Sequence, residues 1–183
     1  TNGGTNWISQ TSGTTAILRD IYFADNNTGW TVGNSGNIRK TTDGGVSWSQ
    51  QTSGITSILY GVSFADNNTG WTVGASGIVL NTIDGGTSWA AQSSGTTNTL
   101  LGVKCVNANT CWMVGNKGTI FKTTDAGANW ISQMNGTANH LQGVHFLDNN
   151  SGWTVGDVGT IQKTTDSGVN WTIQTSGVTN LLN

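Results

Sequence analysis

Proline is absent from this 183-residue chain, and so is glutamate. Charge is scarce. Only 9% of residues carry one, against about 25% in ordinary soluble domains, and 7 Lys+Arg against 9 Asp+Glu leave a net −2. A chain with so little charge offers no basic stripe for nucleic acid or an anionic membrane. No apolar run approaches the roughly 18 residues of a membrane-spanning helix, and no signal-peptide pattern is visible. Residue 1 is Thr, as expected of a mature or excised piece. Against these absences stand 27 Gly, nine Trp and regular Val, Ile and Leu, enough apolar surface to exclude a disordered chain. One domain burying roughly 70% of its unfolded surface is expected at this length.

The tryptophans set a period. Trp30, Trp71, Trp112 and Trp153 are 41 residues apart, and so are Trp7, Trp48, Trp89, Trp130 and Trp171. Asp43, Asp84, Asp125 and Asp166 form a third column with the same spacing. The chain, 1–183, reads as one domain of four units, 17–57, 58–98, 99–139 and 140–180, without insertion or deletion. Residues 1–16 match the second part of a further unit, with Asn2 in the Asp column, and 181–183 match the start of another. Such a fixed period signals a repeat architecture.

In the second unit four short strands are predicted: Leu59–Phe64, Gly70–Val73, Ile78–Thr82 and Thr87–Gln92. Turns DNNTG, ASG and DGG separate them, where Asn and Gly tolerate positive φ and Asp closes Asx-turns. Four such strands in roughly 40 residues are the pattern of a β-propeller blade, and no unit holds a helical apolar spacing longer than a turn. The expected fold is an all-β propeller of four complete four-stranded blades, with residues 5–10 as a surplus N-terminal outer strand. Apolar residues on both strand faces suit a blade sandwiched between neighbours. An unpaired strand edge invites pairing, so a second copy joined through strand 5–10 is one expected partner. A four-bladed ring, or a larger ring of which this chain is one part, are the alternatives.

The segments TTDGGVSW, TIDGGTSW, TTDAGANW and TTDSGVNW resemble the Asp-box motif, Ser/Thr-x-Asp-x-Gly-x-x-Trp. With FADNNTGWTVG ahead of them, the unit is similar to the propeller repeats of the photosystem II stability/assembly factor-like family, over essentially the whole chain. The resemblance implies secretion, since tandem copies of such repeats are common in secreted bacterial proteins. It also implies an assembly role, although that family's basic patch has no counterpart among seven Lys and Arg. From physical chemistry alone, the box Asp accepts backbone N–H groups of its turn and the Gly supplies a conformation other residues avoid. Trp48, Trp89, Trp130 and Trp171 pack the turn. The box is therefore read as a folding device.

Related glycosidases, sialidases above all, make hydrolysis a reading to test. Such a site needs three arginines, and this chain has Arg19 and Arg39; no Glu is available to assist a nucleophilic Tyr22 or Tyr60. A carboxylate pair must stand about 5–9 Å apart. Four of nine Asp are box residues, Asp25, Asp66 and Asp148 lie in DNN turns, and Asp20 and Asp157 are read as solvated carboxylates. No catalytic residue is assigned, and the protein is expected not to be an enzyme. No metal or cofactor is expected either. His140 and His145 lie five apart on one strand, facing opposite ways, and the DNNTG turns lack the alternating Asp series and closing Glu of a calcium loop.

A ligand would sit where the blades differ. Arg19, Tyr60, Leu101 and Gln142 vary near the start of the first strand, and Arg39, Leu80, Phe121 and Gln162 on the third. Asn34, Ala75, Asn116 and Asp157, with Lys117, vary in the loop between second and third strands, and Tyr22, Ser63, Lys104 and His145 along the first. Such groups suit a glycan or a peptide, and neutral drift at exposed positions produces the same scatter.

Cys105 takes the place of Phe23, Phe64 and Phe146, and Cys111 that of Gly29, Gly70 and Gly152. Both departures flank one hairpin, so a disulfide is predicted, worth about 2 kcal/mol and calling for an oxidising compartment. Two buried free thiols are the alternative. The expected function is a non-catalytic module for protein interaction or self-assembly, located outside the cell, at its surface or in the periplasm. A lectin-like glycan binder is the alternative and a glycosidase-type hydrolase the third.

Overall fold

In the computed structural model, which describes residues 3–183, the repeat becomes four antiparallel four-stranded sheets, each in chain order. The first blade holds β1 (Leu18–Phe23), β2 (Gly29–Gly33), β3 (Ile38–Thr41) and β4 (Ser49–Gln51); the second holds β5 (Leu59–Phe64), β6 (Gly70–Gly74), β7 (Val79–Thr82) and β8 (Ala90–Gln92). The third comprises β9 (Leu100–Cys105), β10 (Cys111–Gly115), β11 (Thr119–Thr123) and β12 (Ile131–Ser132). The fourth comprises β13 (Leu141–Phe146), β14 (Gly152–Gly156), β15 (Ile161–Thr164) and β16 (Thr172–Gln174). This is the propeller blade the period predicts. Asn2 lies outside the described residues.

Local hydrogen bonds explain where the strands end. Asp25 Oδ1 accepts the N–H groups of Asn27 and Thr28, both at 2.7 Å, and so closes the first hairpin. Asp66 and Asp148 repeat this Asx-turn, and Asn107 substitutes for them at 2.9 Å. At the third-to-fourth turn Asp43 Oδ1 accepts the Thr41 hydroxyl at 2.7 Å and the Ser47 N–H at 2.9 Å. The Thr41 hydroxyl oxygen accepts the N–H of Gly45. Asp84 builds the same turn, which shortens the strand expected over Thr87–Gln92. The Ser88 N–H is committed to Asp84, so β8 begins only at Ala90.

The first strands lie side by side along the inner edge, β1 on β5, β5 on β9 and β9 on β13. A bulge between Leu59 and Gly61 puts Leu59, Val62 and Phe64 on one face, buried against Trp30, Val32 and Ile38 of the blade before. The rings of Trp30 and Phe64 stack at 3.5 Å, and those of Trp112 and Phe146 at 3.6 Å. Trp89 and Trp171 close on the same Phe rings edge-on at 6.0 Å. Blades follow one another in an arc. No strand of the first blade packs broadly on one of the fourth.

Cys105 and Cys111, directly paired across the β9–β10 hairpin, are joined by a disulfide. The double replacement has a steric reason: the Phe ring lies over the opposing Gly, and a Cβ on Gly70 would meet the Phe64 ring at 2.4 Å. A side chain at 111 excludes a ring at 105, and the disulfide fills the space.

Residues 5–10, expected as a surplus outer strand, belong to no sheet. Trp7 is 90% exposed and Ile8 81%. An outer strand is held by its own third strand, and among the described residues no strand pairs with this segment.

Candidate functional site at the channel mouth

The starts of the four first strands converge on a cavity of about 520 Å³, lined by Arg19, Asp20, Tyr60, Leu101, Gln142 and Asn183 among others. The variable column Arg19, Tyr60, Leu101 and Gln142 is thus brought together. Two are held by the turn after the second strand of their own blade. Arg19 Nε donates to Asn34 Oδ1 at 3.0 Å, and Gln142 Nε2 donates to Asp157 Oδ1 at 2.9 Å. The Arg19 guanidinium also lies 5.6 Å above the Tyr60 ring, a cation–π contact that fixes both. The mouth therefore offers a cation, an aromatic face, an apolar side chain, an amide and a carboxylate within one rim. Such a set is chemically suited to mixed polar and apolar surface more than to a single small anion.

Asp20 was missed as a functional position. It stands in the column of Gly61, Gly102 and Gly143, a departure the alignment of units already contains. It is half-buried rather than solvated: Oδ2 accepts the N–H of Val62 from the second blade, and Oδ1 that of Ile21, both at 2.8 Å. Burial pushes its pKa up, and the two backbone N–H groups pull the other way. Deeper between the blades, Lys104 reaches 5.8 Å from the Tyr22 ring, and burial lowers the lysine and raises the phenol.

The remaining candidates lie elsewhere. Arg39 Nη2 donates to the Gly13 carbonyl at 2.7 Å, and fully buried Gln162 donates through Nε2 to the Asn135 carbonyl. Arg39 holds the segment leading into the first blade, and Gln162 the loop between the third and fourth blades. Phe121 takes the equivalent place under Gly95. Grooves lie along these connections, including one of about 700 Å³ lined by Ile55, Leu80 and Gly95. Their recurrence at one repeat position marks them as a property of the blade. Lys117 donates its backbone N–H to His140 Nδ1, which ties the Asn116 turn to the start of the fourth blade. His145 is exposed and has no metal-binding cluster around it among the described residues.

The carboxylates of the repeat are occupied as acceptors. Asp43 and Asp84 are pulled down to about 2, chiefly by the hydroxyls of Ser47 and Ser88, then by the N–H groups of the same residues. Asp125 and Asp166 are lowered in the same turns by Asn129 and Asn170.

Four stacked sheets of one design, with one set of variable residues gathered at their inner rim, define a β-propeller. The chain belongs to the family of the photosynthesis system II assembly factor YCF48, whose profile matches residues 2–143. Solved structures share the fold. YCF48 bound to D1 peptide is 21% identical with a TM-score of 0.59, over 87% of this chain and 81% of that one. YCF48 from Cyanidioschyzon merolae is 17% identical with a TM-score of 0.60, over 90% and 87%. An ancestral GH74 enzyme superposes with a TM-score of 0.70 at 17% identity, over 92% of this chain but 25% of the enzyme. The GH74 enzyme of Niastella koreensis gives 0.69 at 15%, over 85% and 30%. The chain thus corresponds to about a quarter to a third of those enzymes. No curated protein matches it.

Proposed function

We propose that this chain is a non-catalytic, secreted module that binds a protein partner, taking an extended peptide segment across the channel mouth. The observation that carries the proposal is the Arg19–Tyr60–Leu101–Gln142 rim, where blades of one design bring four different chemistries around a single cavity. Family membership supports an assembly role, and a structure of similar fold is described as YCF48 bound to D1 peptide. A non-catalytic role is supported by the carboxylates, which serve as acceptors for turns and for the Val62 backbone. Secretion is supported by the Cys105–Cys111 disulfide, which persists in oxidising compartments. Self-association through residues 5–10 belongs to the same proposal, since that segment leaves Trp7 and Ile8 exposed.

Panning a displayed random-peptide library against the chain tests the mouth. Enriched peptides should lose about tenfold or more in affinity to Tyr60→Ala, and a comparable amount to Arg19→Ala. Failure to enrich any peptide, or enrichment that both variants leave untouched, overturns the assignment. Binding on a glycan array in place of peptides would transfer the mouth to the sugar-binding reading.

A further inference from the structure

The two ends of the arc are the two halves of one joint. Inside the molecule each blade offers a Trp and a Val from its second strand and an aliphatic residue from its third. The next blade covers them with a Leu, a Val and a Phe or half-cystine from its first strand. Trp30, Trp71, Trp112, Val32, Val73 and Val114 are all at 0% exposure as a result. In the fourth blade the same positions are Trp153, Val155 and Ile161, and all three are only half-buried. In the first blade the covering residues are Leu18, Ile21 and Phe23; Ile21 is 56% exposed and Phe23 40%, where Phe64 is 0% and Phe146 2%.

Both end faces are already set in their joined form. Trp48 stands edge-on to Phe23 at 6.0 Å, as Trp89 does to Phe64. Lys163 lies 5.3 Å over Trp153, as Lys40 does over Trp30 and Lys122 over Trp112. The indole N–H groups of Trp30 and Trp112 donate to the carbonyls of Gly85 and Ser167 in the following blade. The corresponding carbonyl on the first blade is that of Gly44. Leu182, which falls in the column of Leu59, Leu100 and Leu141, donates its N–H to the Gly156 carbonyl.

We propose that a second copy of this chain docks head to tail on these faces, Phe23 of one copy covering Trp153 of the other. The proposal rests on the reading that the chain self-associates and moves the contact from residues 5–10 to the blade faces. A knob face and a socket face complement each other and not themselves, so the contact is heterologous and closes only by forming a ring. Two copies give eight blades, within the usual range for propellers. Docking displaces Leu182. Residues 3–16 repeat the columns of 167–180, and the copy without a ladder, 3–16, gives way to β16.

The test is sedimentation of the full chain across a wide concentration series, with Phe23→Arg, Trp153→Arg and their mixture. Wild type should sediment at twice 19.1 kDa or at a higher whole multiple of it, and each variant alone as a monomer. The mixture should recover a heterodimer, because it restores one intact Phe23–Trp153 joint; this recovery also shows that both variants fold. A monomeric wild type overturns the proposal and leaves the faces to other segments of a longer polypeptide. Association that survives both Arg variants but is lost in Ile8→Pro overturns it as well, in favour of residues 5–10. Neither result touches the peptide-binding mouth, which Tyr60→Ala reads separately.

Discussion

The junction between the second and third blades is built differently from its two neighbours. At the first and third junctions a Phe ring lies flat on a Trp, 3.5 and 3.6 Å away, and the indole N–H reaches a carbonyl in the next blade directly. At the middle junction the ring is replaced by the Cys105–Cys111 disulfide. The Trp71 indole there donates to Gln92 Oε1 at 3.1 Å, and Gln92 Nε2 passes the contact on to the Ala126 carbonyl at 2.9 Å. Trp71 is nonetheless as fully buried as Trp30 and Trp112. One cavity shape thus accepts either an aromatic ring over a glycine or a sulfur bridge between two side chains. What the repeat preserves is the filled volume and the satisfied indole, while the residues that provide them change.

The largest test of this comparison is to empty an aromatic joint. Phe64→Ala should cost about 3–5 kcal/mol, because the ring touches both Trp30 and Trp89 and the cavity cannot collapse against rigid sheets. Urea unfolding followed by Trp fluorescence measures it. Next comes the sulfur joint: Cys105→Ser with Cys111→Ser should lose about 2 kcal/mol, and reducing wild type should lose a similar amount in the same assay. Converting one joint into the other sharpens the point. Cys105→Phe with Cys111→Gly should fold within about 1.5 kcal/mol of wild type and ignore reductant, as volume-conserving swaps do. Cys105→Phe alone should fail, since Cys111 keeps a Cβ where the ring must lie.

The smallest effect is electrostatic and common to all blades. Asp43 and Asp84 have folded-state pKa values near 2, below the ordinary Asp value of about 3.9. Their contribution is therefore complete above that ordinary value and is lost as pH falls from about 4 toward about 2. Thermal melts across this window should show a progressive decline. Asp43→Asn should flatten part of it, because an amide oxygen still accepts the Ser47 N–H but no longer titrates.

Most of the blade was legible beforehand for a local reason. The bonds by which Asp25, Asp43 and their repeats close their turns reach no more than four residues, so the turn chemistry stands in the sequence. Leu59–Phe64 was read to the residue, since its ends are set by such turns. The start of β8 was not, because Thr87 to Trp89 have strand-like composition but sit inside a hydrogen-bonded turn. The channel rim was legible as scatter between units. Its assembly was not, since Arg19 and Tyr60 meet only when two blades stack. Asp20 shows the same limit: its partner, the Val62 N–H, lies 42 residues on.

A 41-residue recurrence of Trp, Asp and Gly is enough to dictate sheets of four strands that stack through their faces, because each column acts on its own turn or its nearest blade. Where the stack stops is a different kind of question. Phe23 and Trp153 carry the same letters as their buried counterparts, and only the spatial arrangement leaves one at 40% exposure and the other half-covered. Burial belongs to a pair of surfaces, and a residue's own column does not say whether the second surface is there.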